Sequence, residues 1–130
     1  MTTFSHVIVG PRLKRVEIPK DYGWTRESMS FDWHHGAVKL DRFIGRAIWT
    51  VEGKVIRSMP SWLEWMKVEE FAGYNFGSLP SPSKDPIIAT ISYGRLTLWD
   101  GFHRVAFSIV NDFDPVNAKL GIERIRRSGR

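Results

Sequence analysis

Between residues 96 and 110 the chain reads LTLWDGFHRVAFSIV, and residues 100–104 crowd an acid, a glycine, an imidazole and a guanidinium together. An arginine fork makes paired hydrogen bonds to phosphate or carboxylate oxygens. A histidine exchanges protons near neutral pH. An aspartate can orient a base, accept from a ribose hydroxyl or hold Mg2+. Together these types suit phosphate binding, with phosphate-bond cleavage as an option. In such chemistry His103 is the candidate acid or base, Asp100 an orienter or Mg2+ ligand, and Arg104 the charge stabiliser.

The spacing says which elements must hold them. Residues 87–93 and 96–99 are rich in β-formers, with Gly94 allowing a hairpin turn. After Gly101, the residues Phe102, Val105, Ala106, Ile109 and Val110 keep the spacing of one helix face, until Asn111 and the DFDP run end it. The motif is therefore expected to be strand, tight turn, helix, with His103 and Arg104 in the first helical turn. The amides of that turn lack internal partners and carry the positive end of the dipole, so anions bind there. Gly101 permits a sharp bend and a close ligand. Basic residues in that turn oppose the dipole, a local misfit that a bound anion would offset. In the alternative, Asp100 caps the helix, His103 and Arg104 pair with it, and nothing binds. Spacing alone leaves both open.

A second polar cluster is SFDWHHGA, with Asp32, His34 and His35. It reads as a loop cluster. Adjacent histidines on extended chain point to opposite sides, so at most one shares a site with Asp32. Asp32 or His34 folding over the 100–104 stretch as acid/base or metal ligand is the functional option.

Elsewhere, residues 1–30 look irregular, with HVIV a possible short strand and Pro11, Pro19 and Gly23 breaking the segment after it. Residues 47–51 and 54–57 flank Glu52-Gly53 as a hairpin. Ser61 with Glu64 forms a capping-box pattern ahead of Trp62, Trp65, Met66 and Phe71, and Gly73 is the expected stop. Residues 78–86, rich in Pro and Ser, predict an exposed loop. The tail, 124–130, is basic and expected to fray from a short helix or strand.

The 130 residues suit one domain spanning 1–130, with no internal repeat. With no cysteine, disulfides, thiolate metal sites and cysteine nucleophiles are excluded. No apolar run is long enough for a membrane span, and the N-terminal charge order is the reverse of a secretory signal, so a cytoplasmic location is expected. The formal charge of +5 tilts the choice of partner towards phosphates.

The stretch PIIATISYGRLTLWDGFHRVAFSIV resembles the core of the ParB/sulfiredoxin-like superfamily. Pro86, Ile87 and Ile88 match before the hairpin, and Asp100, Gly101, His103, Arg104 and Ala106 after it; the likeness covers residues 84–122. It implies a small α+β fold, a mixed sheet of short hairpins with helices packed on it. In such a fold the motif cradles the phosphates of a nucleotide, ATP or CTP with Mg2+. Relatives use that cradle for CTP-dependent clamping on DNA, for ATP-dependent phosphoryl transfer or for nuclease activity. Carried over, Gly101, His103 and Arg104 would be phosphate contacts, with Asp100 the polar residue beside them. Three departures narrow this. Sulfiredoxin chemistry needs a cysteine where this chain has Phe102. Only 20 residues lie beyond Val110, too few for the helix-turn-helix domain of partition proteins. A catalytic glutamate of the kinase relatives has candidates in Glu17, Glu27 and Glu52, and nothing selects one. The resulting expectation is a stand-alone ParB-like domain that binds a nucleoside triphosphate or nucleic-acid phosphate at residues 100–104. The competing expectation is a non-catalytic DNA- or protein-binding module, of the kind a mobile element carries.

Overall fold

The computed structural model describes residues 6–18, 30–44, 47–50, 55–56, 62, 64, 67 and 85–124. Among these, the strands are β1 (Val7–Arg12), β2 (Phe31–Val38), β3 (Ile48–Thr50), β4 (Val55–Ile56), β5 (Ile87–Ser92), β6 (Arg95–Asp100) and β7 (Val116–Glu123). The helices are α1 (Leu40–Ile44) and α2 (Phe102–Asn111). All seven strands join one sheet in the order β1-β2-β7-β5-β6-β3-β4. The pairs β5·β7 and β3·β6 are parallel and the others antiparallel, so the sheet is mixed and the fold α+β, as expected.

The β5–β6 hairpin forms where its turn chemistry allows. Tyr93 (φ 52°) and Gly94 (φ 77°) both take positive φ, the backbone of a two-residue turn whose twist matches the flanking strands. The first hairpin is present too, with Ile48 opposite Ile56 and Trp49 opposite Val55; its Glu52-Gly53 turn lies outside the described residues. Trp62, Glu64 and Lys67 are helical, with Trp62 buried and the other two exposed. The proposed Ser61 cap, the Gly73 stop, the loop through residue 84 and the tail beyond Arg124 also lie outside them.

One face of the sheet carries the core. Ile87, Ala89 and Ile91 of β5, Leu96 and Leu98 of β6, and Val116, Ala118 and Leu120 of β7 are all buried there. Val105, Ala106 and Ile109 of α2 pack on them, joined by Phe43 of α1 and by Trp62. The Trp62 indole N–H donates to the Phe43 carbonyl at 3.1 Å, so the largest buried side chain has its one polar atom satisfied. The other face holds Trp33, Phe31 and Trp99, with ring centroids 6.0 and 6.4 Å from Phe31 to the two tryptophans in edge-on geometry.

Three expectations need correction. The SFDWHHGA stretch is not a loop. It is most of β2, which pairs with both β1 and β7. Polar Asp32, His34 and His35 and a glycine interrupt the run, and only Trp33, Ala37 and Val38 of β2 are buried, so it carries too few apolar residues to mark a strand. The short strand expected at HVIV is present, but Pro11 does not break it, because β1 runs on through Gly10-Pro11 to Arg12. Among the described residues β1 is an edge strand, where a proline is tolerated, and the register slips between Val9 and Arg12. Finally Val110, placed on the apolar helix face, is exposed at the end of α2. There Asp112 turns left-handed (φ 57°) and the Phe113 N–H returns to Ser108 O at 3.0 Å.

Candidate phosphate site at the start of α2

Residues 95–105 form the expected strand, turn and helix. β6 ends at Asp100, Gly101 is the helix N-cap at φ 106° and ψ 23°, and the Val105 N–H closes the first helical bond on Gly101 O at 2.9 Å. The cap is a glycine, so no side chain caps the first-turn amides. Asp100 is not the cap.

The glycine has a reason internal to the fold. A Cβ at position 101 would sit 2.5 Å from Ile87 Cγ2 and 2.9 Å from Ile87 Cβ, and positive φ is costly for any other residue. One side of the corner is thus closed by Ile87, and Gly101 is buried.

Register sets the direction of Asp100. Ile88 pairs with Asp100 but Ala89 pairs with Leu98, so Trp99 is an extra residue in a bulge. Directly opposed residues share a face, and Ile88 lies between the core-facing Ile87 and Ala89. Asp100 therefore projects from the face opposite α2. Its row continues through Ile88 to Lys119 and His35. Lys119 Nζ donates to Glu17 O at 3.1 Å and His35 Nε2 lies 3.5 Å from Glu17 Oε2, so that row ends under the turn at Arg15–Glu17.

His103 and Arg104 stay together in the first turn of α2, both half-buried, with no acid in that turn. Arg104 does not pair with Asp100. Its Nη2 lies 2.5 Å from Asp85 Oδ2, with the arginine side chain 19% and the aspartate side chain 46% exposed. Asp85 thus supplies the negative charge that two basic groups at a helix N-terminus require. The Arg104 Nε is buried and has no hydrogen-bond partner among the described residues. Nε–H and Nη2 form one edge of the guanidinium, so a single carboxylate oxygen fills half of a two-donor fork.

Asp85 is the partner of Arg104 that sequence reasoning passed over. Its signal was present in the hairpin: counting outwards from the 93–94 turn brings residues 85–87 beside residues 100–102. The acid before Pro86 had to lie near the helix start.

Asp32 and His34 belong to a different place. Asp32 Oδ2 is 3.0 Å from Arg12 Nη2, and its Oδ1 accepts from Arg124 Nε at 2.9 Å. The Arg124 hydrogen bond holds the carboxyl below its ordinary pKa; burial opposes it, and the charges of Arg12, Arg124 and His34 add to the lowering. His34 Nδ1 contacts Gly10 O at 3.1 Å. Both side chains tie β1, β2 and the end of β7 together. Asp32 is opposite Ile122, which pairs with Ile91, whereas Asp100 is opposite Ile88. At about 4.8 Å per strand and 3.3 Å per residue, Asp32 and Asp100 are roughly 14 Å apart across the sheet and 10 Å along it. The two clusters do not form one site. Among the described residues, no group of three His, Asp or Glu could hold a metal ion, and no helix is long and apolar enough to cross a membrane.

A scan against protein-family models and searches of curated proteins and of solved structures found no match.

Proposed function

We propose that this chain binds the phosphate of a nucleotide, or of a nucleic-acid backbone, at the first turn of α2, through Arg104 with His103 beside it. The single observation behind the reading is the Arg104 fork: a charged, mostly buried guanidinium whose Nε–H has no acceptor among the described residues. A buried donor without a partner costs about 1–3 kcal/mol, and a phosphate, with two oxygens for the Nε and Nη2 edge, would recover it. The ParB-like resemblance of residues 84–122 points to the same turn and favours ATP or CTP with Mg2+ as the ligand. The basic balance of the chain agrees with an anionic partner.

Binding is proposed without catalysis. With Asp100 on the opposite face of the sheet from His103 and Arg104, the acid, imidazole and guanidinium do not converge on one reacting atom. The reading is thus closer to a nucleotide- or DNA-binding module than to a nuclease or phosphotransferase.

The test is a thermal-shift panel with ATP, CTP and a DNA duplex, each with Mg2+. Ligand at 100 times its Kd should add about 2.7 kcal/mol of stability and raise the Tm. Arg104→Lys keeps a positive charge beside Asp85 but loses the planar fork, and should remove most of the rise. No response of the wild-type protein to any of these at millimolar concentration refutes the reading.

A further inference from the structure

We infer that Asp85 is a built-in competitor for the anion site, a carboxylate that occupies the Arg104 fork until a phosphate displaces it. This rests on the reading of Arg104 as a phosphate contact and adds its regulation.

Three features carry it. Asp85 Oδ2 meets Arg104 at Nη2, on the same guanidinium edge as Nε. That edge is where a phosphate would make its two hydrogen bonds, so the carboxylate and a phosphate cannot both hold it in full. The contact is also lopsided in exposure. The arginine is held by the fold at 19% exposure, whereas the aspartate is 46% exposed and can leave for water at little desolvation cost. Lastly, the carboxylate fills the edge incompletely, leaving Nε buried without an acceptor among the described residues. A place-holder need only keep the charge balanced while the site is empty.

The groups facing Arg104 fit this arrangement. The first turn of α2 has no acid of its own, and Asp100, the nearest acid in sequence, projects to the other face. Asp85 is the acid that neutralises the turn. Removing it leaves the guanidinium charged and ready, and also deletes a negative charge that would repel an incoming phosphate.

The experiment measures binding of inorganic pyrophosphate, and separately of ATP with Mg2+, to the full chain by isothermal titration calorimetry. Wild type, Asp85→Asn, Arg104→Gln and the double variant are compared. Asp85→Asn should bind both probes about three- to tenfold more tightly than wild type, the gain expected for losing a partly exposed ion pair and its repulsion. The double variant should show no gain. In wild type, the Arg104 Nε–H resonance should shift when pyrophosphate is added, a readout that does not depend on any variant folding. Equal or weaker binding by Asp85→Asn, with wild type still binding through Arg104, overturns the competitor role and leaves the phosphate site standing. No binding by wild type or by Asp85→Asn, with an unmoved Nε–H resonance, overturns both. Tighter binding by Asp85→Asn that persists in the double variant also overturns the competitor role, because the gain would then come from net charge alone.

Discussion

Replacing Gly101 by alanine tests whether the motif's glycine serves the fold or a ligand. Two costs are read directly from the structure. At φ 106° a residue with a Cβ is strained, worth about 1–3 kcal/mol. The added methyl would lie 2.5, 2.9 and 3.2 Å from Ile87 Cγ2, Cβ and Cα. Because the nearest atoms belong to a fully buried, branched side chain beside its own backbone, they have little room to move. Overpacking of that kind costs about 1–3 kcal/mol. The sum, roughly 2–6 kcal/mol, is a large share of the 5–15 kcal/mol that holds a typical domain together. For a chain of this length it should lower the Tm by roughly 6–20 °C. Gly94→Ala is the internal control, since it also has positive φ (77°) but its Cβ would meet no atom within 4 Å. That variant should lose only the strain, about 1–2 kcal/mol. Urea unfolding of both, with unchanged m, gives the difference. Adding Ile87→Ala should then relieve part of the Gly101→Ala cost, a favourable coupling of about 1–3 kcal/mol in a double-mutant cycle. If Gly101→Ala costs no more than Gly94→Ala, the Ile87 contact does not govern the corner and the reasoning fails.

Other outcomes rest on single contacts. Asp32 has a lowered folded pKa, so its stabilising effect is complete above the ordinary carboxylate pKa and fades as pH falls through the folded one. Asp32→Asn should therefore flatten the acid limb of the stability curve while costing at most about 1 kcal/mol near neutral pH, because its partners are largely exposed. An unchanged acid limb by urea titration at several pH values would rule that out. Trp62→Phe removes the N–H donated to Phe43 O and some core volume, and should cost about 1–3 kcal/mol by chemical denaturation; a neutral result would mean water replaces the bond. The Arg104→Lys thermal shift and the Asp85→Asn titration complete the set.

Much of the fold around residues 87–111 was legible from the residues themselves. Tyr93-Gly94 between two β-rich runs specifies a tight hairpin, and the spacing of Phe102, Val105, Ala106 and Ile109 specifies a helix after Gly101, because turn chemistry and periodicity are local. The segment 31–38 was not legible, since Asp32, His34, His35 and Gly36 leave it few apolar residues to mark a strand. Nor was the length of β1, whose Gly10-Pro11 argues against a strand until its edge position is known. The candidate site divides the same way. His103 and Arg104 in the first helical turn were readable from spacing. Asp100's direction was not, because it depends on one bulged residue, Trp99, opposite β5.

What the residues alone determined was a bend at Gly101 joining a strand to a helix, two basic side chains just beyond it, and a chain with no thiol chemistry. Tertiary structure decided which groups those side chains meet. It brought Asp85 to Arg104, sent Asp100 to the far face and kept Asp32 and His34 together on β2, three strands away from β6. The physical reason is register: pairing between strands far apart in sequence is set by which faces bury the core, and a shift of one residue turns a side chain from one face of the sheet to the other.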